Sequence, residues 1–259
     1  GTGSGTFSAS LSPAFSFVGA TAITVTGGAN GTADSVEIQG TLGPDTVTSN
    51  ATTVTLGGTA TLGAGIDQLY VNTYDGNDNI SLNLTSGTLA TTINSGAGND
   101  TVNLSGSTLN GASIYGGDGD DVLTGSPGAD LIFAGNGNDR LIGGGGNDTE
   151  YGEDGDDIFG NPTLAANGVA DDTGADVAFG GQGFDNFVWE PGDGADINNG
   201  GDDAADIFRF FGDANANTFV LQSGGTPTHL NAQFNPLSGG PTIDNHGITN
   251  LIAGCLLSN

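Results

Sequence analysis

From Gly116 onward the chain divides into nines without a gap: GGDGDDVLT, GSPGADLIF, AGNGNDRLI, GGGGNDTEY, GEDGDDIFG. A fixed short period of this kind allows few folds other than a stack of identical turns. The fourth place is Gly in all five phrases (Gly119, Gly128, Gly137, Gly146, Gly155), and the sixth is Asp (Asp121, Asp130, Asp139, Asp148, Asp157). Two places after each Asp stand Leu123, Ile132, Leu141, Glu150 and Phe159. Four of these five are strongly apolar, as a strand residue pointing into a core must be. Glu150 breaks the pattern. It predicts a frayed turn, a turn opened by the insertion that follows, or a carboxylate paired with a cation. After ten residues, NPTLAANGVA at 161–170, the phrase returns as DDTGADVAF and GGQGFDNFV. Looser copies surround Asp196 and Asp206, the second with Ala204 where Gly is expected.

Composition restricts what can hold such a stack together. The chain has 30 acidic residues against two basic ones, Arg140 and Arg209, for a formal charge of -28. Salt bridges cannot neutralise that excess, so the chain stays open, sits in high salt or binds cations. Nucleic acid is excluded as a partner because phosphate recognition needs Lys/Arg patches. Anionic membranes are excluded on the same ground. Cys255 is the one cysteine, so no internal disulfide forms. No run of about 18 apolar residues predicts a membrane span. No signal peptide is visible in GTGSGTFSAS, although a processed secreted chain would also begin this way. High charge with abundant Gly is also the composition of a disordered polymer. The 13 Phe and the regularly spaced Val, Ile and Leu oppose that reading, most strongly when a cation is present.

Upstream the rhythm is slower. Asp-x-apolar triplets stand at Asp34, Asp45, Asp67, Asp78 and Asp100, with Leu56 and Leu89 at the skipped stations. Val, Ile, Thr and Tyr dominate the segments and helix signals are nearly absent. The expected fold is all-β, a parallel β-solenoid or β-roll. Residues 21–115 have an 11/33-residue rhythm that fits three strands per coil, or two strands with a looser period. The expected organisation is an N-terminal strand or arm at 1–20, solenoid at 21–115, nonapeptide roll at 116–210 and a C-terminal β cap at 211–259.

The chemistry follows from the residue types. Gly lets the backbone turn several carbonyls toward one point. Carbonyls and carboxylates are the hard oxygen donors calcium prefers, whereas magnesium keeps its waters and demands strict octahedral sites. Zinc is disfavoured, since His229, His246 and Cys255 form no ligand-spaced cluster. If two nines make one coil, Asp121, Asp139 and Asp157 stack on one side and Asp130 and Asp148 on the other. Two carboxylates at the strand spacing of about 4.8 Å repel by about 3–4 kcal/mol at an effective dielectric near 20. A divalent ion between them reverses the sign.

The pattern resembles the RTX family, the hemolysin-type calcium-binding nonapeptide repeats G-G-x-G-x-D-x-U-x. GGDGDDVLT and GGQGFDNFV match strongly, and FVWEPGDGADI looks like segments that close such arrays. The resemblance implies a parallel β-roll with several Ca2+ ions in the turns between coils, formed after secretion into calcium-rich surroundings. The implied carboxylate ligands are Asp78, Asp100, Asp121, Asp130, Asp139, Asp148, Asp157, Asp176, Asp185, Asp196 and Asp206. The implied turn residues are Gly117, Asp118, Gly119, Gly135, Asn136, Gly137, Gly144, Gly146, Asp154, Gly155, Gly181 and Gly183.

The ends bear on the role. FSASLSPAFSFV at 7–18 is an apolar strand ahead of the solenoid, either a cap or an arm that pairs with another copy of the chain. Asn-x-Ser/Thr triplets at Asn30, Asn50, Asn79, Asn83, Asn99, Asn103 and Asn147 admit glycans. No HExxH or GxSxG motif is present and no enzyme is expected. The expected function is an extracellular calcium-folded structural protein that assembles head to tail into a fibre, sheath or surface layer. The alternative is an RTX module of a larger adhesin, toxin or hydrolase.

Overall fold

The computed structural model describes residues 33–50, 53–56, 58–62, 65–161, 172–189, 193, 196–201 and 206–207. It also describes the backbone of strands at 5–8, 22–26, 208–212, 217–223, 229–236, 242–246 and 248–255. The strands form two sheets of 13 and 11 members, and no helix occurs among the described residues. Among these residues no helix is long and apolar enough to cross a membrane.

The chain alternates between the sheets. A longer strand in the second sheet is followed by a turn and a short strand in the first. Six such turns follow in succession, beginning with Gln68–Asn72 and Asn79–Ser81 and ending with Val177–Gln182 and Asn186–Trp189. Each strand pairs in parallel with its counterpart one coil away, as Thr101–Asn103 does with Val122–Thr124. The fold is thus a parallel β-solenoid with two strands per coil.

The 33-residue spacing has a specific cause. Asp45 and Asp78 are neighbours across one coil step although 33 residues separate them. Between them the strands Thr53–Leu56 and Gly58–Leu62 form an antiparallel hairpin that extends the first sheet sideways. Later steps are 22, 21 and then 18 residues, with both sheets running continuously through the change. The insertion at 161–170 lengthens one step from 18 to 28 residues and leaves the pairing in register.

Strand alternation puts one residue in two between the sheets. In the first sheet Val47, Ile80, Val102, Leu123, Leu141, Phe159 and Phe187 line up in register, all buried. In the second sheet Ile38, Val71, Ile93, Ile114 and Ile132 do the same, and the row then continues as Glu150, Ala178 and Asn198. The long coils add Leu82, Leu84, Leu104 and Leu109 where short coils have Gly-rich turns. On the outer face of the second sheet, Tyr115, Phe133, Tyr151 and Phe179 stack with ring centroids 5.3, 4.7 and 4.9 Å apart. Such same-face pairs contribute to sheet stability beyond the backbone ladder.

Burial of the two alternating faces makes a direct prediction. Leu123→Ala should lower stability by about 2–5 kcal/mol in urea titrations at saturating calcium. Val122→Ala, at an exposed position on the same strand, should cost less than about 1 kcal/mol.

Candidate metal centre

The sixth-place Asp residues form two buried rows, one along each turn of the roll. On the first row, the backbone NH of each Asp donates to Oδ1 of the Asp one coil later. Asp45 donates to Asp78 at 2.7 Å, Asp78 to Asp100 at 2.7 Å, Asp100 to Asp121 at 2.8 Å and Asp121 to Asp139 at 2.7 Å. The row continues through Asp157, Asp185 and Asp206 at 2.9, 2.9 and 3.0 Å. On the second row Asp130 donates to Asp148, Asp148 to Asp176 and Asp176 to Asp196. This row begins at Asp130, whose Oδ1 accepts the NH of Ala112. All the sixth-place carboxylates expected from the sequence therefore lie in these two rows.

One oxygen of each carboxylate is thus committed to joining coils. The other, Oδ2, is buried and makes no hydrogen bond at Asp78, Asp121, Asp139, Asp148 and Asp157. The first-place Gly of the phrase leaves it room: a Cβ at Gly116, Gly143 or Gly152 would strike Oδ2 of Asp121, Asp148 or Asp157. Ala134, ahead of Asp139, is the exception in the five unbroken phrases. A carboxylate oxygen buried without a donor needs either a proton or a cation. In a chain with no lysine, the donor set fits a hard divalent ion.

Burial is the largest cause of a raised pKa at eight Asp residues of the two rows. It pushes Asp121 and Asp196 up to about 7, Asp130 and Asp139 to about 6, and Asp148 and Asp157 to about 8. Asp100 and Asp176 move the same way. Backbone hydrogen bonds to the charged form oppose these shifts, and most of these groups are also raised by neighbouring carboxylates.

The Gly residues of the turns sit where a Cβ is not allowed. Gly117, Gly119, Gly135, Gly137, Gly144, Gly146, Gly155, Gly181 and Gly183 all have positive φ, between 102° and 149°. At Gly117, with φ 123°, a Cβ would also collide with the carbonyl oxygen of Gly96 in the coil before. The third-place residues Asp118, Asn136 and Asp154 are exposed on the rim of the roll, where the Asn136 amide donates to Asp118 Oδ1 at 2.7 Å.

A further row escaped the sequence reading. Fifth-place side chains accept backbone NH groups from the next coil, in the opposite sense to the buried rows. Asn138 NH donates to Asp120 Oδ1, Asp156 NH to Asn138 Oδ1 and Phe184 NH to Asp156 Oδ1, at 2.8–2.9 Å. Asn99 and Asn147 accept in the same way from Asp120 and Ala175. The signal was present, because the fifth place is Asp or Asn in four of the five unbroken phrases. Short Asx side chains hydrogen-bond nearby backbone readily, which suits them to this place.

Glu150 is neither frayed nor exposed. Its strand Thr149–Asp154 pairs on both sides in register, and the side chain is buried. Ala204 lies outside the described residues.

A raised carboxyl pKa has a definite consequence for stability. Such a group binds its proton more tightly folded than unfolded, so ion-free stability is fully present below the unfolded pKa of 3.8 and is lost as pH rises through about 6 to 8. Circular dichroism in chelator should therefore show β structure near pH 4 that disappears toward pH 8. Calcium should restore it at the upper end. A spectrum that changes in the opposite direction would contradict the burial of these groups.

A family model for the RTX calcium-binding nonapeptide repeat, of the hemolysin type, matches four copies over residues 92–106 and 115–150. No curated protein matches the chain. The matched residues include Asp100, Asp121, Asp130, Asp139 and Asp148, and the same hydrogen-bonded rows run on beyond them to Asp196 and Asp206. The chain carries four copies of the RTX calcium-binding nonapeptide repeat and, with them, a calcium-binding β-roll module.

Proposed function

We propose that this protein is an extracellular structural element that folds when calcium enters its turns and then associates end to end. The observation that carries the first part is the pair of buried Asp rows, with hydrogen-bond-free Oδ2 atoms at Asp78, Asp121, Asp139, Asp148 and Asp157. At neutral pH these rows oppose folding, and calcium turns the same charges into ligands, so metal binding and folding are one equilibrium. The ligands proposed are the sixth-place Asp carboxylates together with carbonyls of the Gly turns. Bound calcium supplies charge neutralisation between coils, and no catalytic step is assigned to the chain. RTX repeats are typical of secreted proteins, and a calcium-poor interior would keep this chain unfolded until export.

End-to-end association is supported by the topology. Among the described residues both sheets are open stacks whose outermost strands each have one hydrogen-bonded neighbour, among them Gly5–Ser8 and Ile248–Cys255 in the first sheet. Unpaired strand edges accept further strands unless they are blocked. The strand Gly5–Ser8 pairs in parallel with Ala22–Thr26, and the rest of the 7–18 segment lies outside the described residues. A solenoid with complementary ends that do not close on themselves gives a filament.

Two measurements test the two parts separately. Calcium titration followed by circular dichroism should show cooperative gain of β structure, with Asp139→Ala requiring more calcium and Asp75→Ala behaving as wild type. Asp139 is buried with a carboxylate in each adjacent coil, whereas Asp75 is exposed. Electron microscopy in calcium should show filaments, and deletion of residues 1–18 should leave a folded monomer. Monomers from the intact chain would favour a module of a larger secreted protein.

A further inference from the structure

One carboxylate cluster is not explained by the repeat. Glu150 occupies the eighth place, where Ile132 stands one coil earlier and Ala178 one coil later. It is 2 % exposed, and its Oε1 makes no hydrogen bond. Asp172 occupies the second place of its phrase, where preceding coils have Ser126 and Gly144, and it stands two residues after the insertion ends at Ala170. Carboxylate oxygens of Asp148, Asp172 and Asp176 lie within 4.8 Å of one another. Asp172 Oδ1 accepts the Gly144 NH at 3.0 Å, while Asp148 Oδ2 is buried with no hydrogen bond.

Nothing basic in the described residues answers this charge. Arg140 is in register with the exposed Val122 on the first sheet, away from the interior row. Burial raises the pKa of Glu150 and Asp172 well above the ordinary range, and Asp148, Asp176 and Asp196 add to the effect on both. Ala178 has three side-chain carbons fewer than Ile132, which stands in the same row on the other side of Glu150. The sequence thus replaces an apolar contact with a carboxylate, a small neighbour and a second off-pattern carboxylate at the same level.

We propose that Asp148, Glu150, Asp172 and Asp176 form an interior site for one divalent cation, distinct in composition from the turn sites of the repeat. Calcium is the ion expected, because it accepts six to eight oxygens in flexible geometry. The choice of calcium rests on the RTX reading; the existence of the site rests on Glu150 and Asp172, which the repeat does not supply. Affinity in oxygen-donor sites rises with the number of carboxylates. Three carboxylates meet at this level, with Glu150 buried and interacting electrostatically with all three, against the two that each ordinary coil step brings together, so this site fills first. It also fastens the returning end of the insertion to the roll, through Asp172.

The test is calorimetric titration of calcium into the chelator-treated full chain near neutral pH, comparing wild type with Glu150→Gln, Asp172→Asn and Glu150→Leu. Both amide variants should lose the tightest binding step, or weaken it by roughly tenfold or more, with the weaker steps unchanged. Glu150→Leu, which restores the apolar pattern of the repeat, should bind one ion fewer and still reach the wild-type β content at saturating calcium. Asp172 is only partly buried, so its variant reports on the site even if a core substitution prevents folding. Wild-type stoichiometry and affinity in both amide variants would overturn the interior site and leave Glu150 a buried neutral acid. Absence of calcium binding in the wild type would instead sink the calcium reading of the whole repeat, and this site with it.

Discussion

Neighbouring coils of this roll are joined by Asp carboxylates with one oxygen occupied, and at Asp78, Asp121, Asp139, Asp148 and Asp157 the other oxygen is bare. Oδ1 accepts the backbone NH of the Asp in the preceding coil, so the residue that carries the charge is also the residue that closes the turn. The two functions cannot be separated by substitution. Removing the carboxylate removes the turn's acceptor, and keeping it leaves Oδ2 buried without a donor. A charge-assisted hydrogen bond is roughly twice as strong as a neutral one, but repulsion along the row offsets that gain. The fold is therefore conditional on what lies beside Oδ2, a proton in acid or a cation at neutral pH.

The fifth-place row complements this arrangement. It is exposed, it runs in the opposite sense, and it uses Asn as freely as Asp. Each coil interface is thus held by side chains reaching in both directions, which fixes the register without help from the connecting loops. That accounts for the tolerance of the insertion. Lengthening a coil step from 18 to 28 residues costs roughly 0.4 kcal/mol in loop-closure entropy. This is small beside a single inter-coil hydrogen bond to a charged group, worth about 1.5–3 kcal/mol. The stack behaves as a one-dimensional array in which each repeat depends only on its neighbours.

Much of this was legible in the sequence because the period is short and its residues are chemically extreme. The nine-residue frame places Asp121, Asp139 and Asp157 on one row and Asp130 and Asp148 on the other, as the hydrogen bonds do. Leu123, Ile132, Leu141 and Phe159 are buried where the frame puts them. The upstream rhythm was less informative, since a 33-residue spacing is equally compatible with three strands per coil or two strands plus a hairpin. Strand identity alone cannot separate these; the antiparallel pairing of Thr53–Leu56 with Gly58–Leu62 does. The fifth-place row was missed for a different reason. Asp and Asn differ in charge, and a search for charge does not find a position defined by a shared side-chain oxygen.

Glu150 shows how a rule-breaking residue should be weighed in such a stack. A buried carboxylate with no partner is among the costliest single substitutions a core can carry. Here it coincides with three further departures: Asp172 in the second place, Ala178 in a row of aliphatic residues, and ten inserted residues between Glu150 and Asp172. Each alone would weaken the roll. Together they exchange apolar packing for a set of oxygens at one level, while Phe159 and Phe187, stacked at 4.7 Å, maintain the apolar row on the other sheet. The stack can lose its aliphatic row on one side and keep parallel register because the Asp rows at the turns, not the interior, set the spacing of the coils.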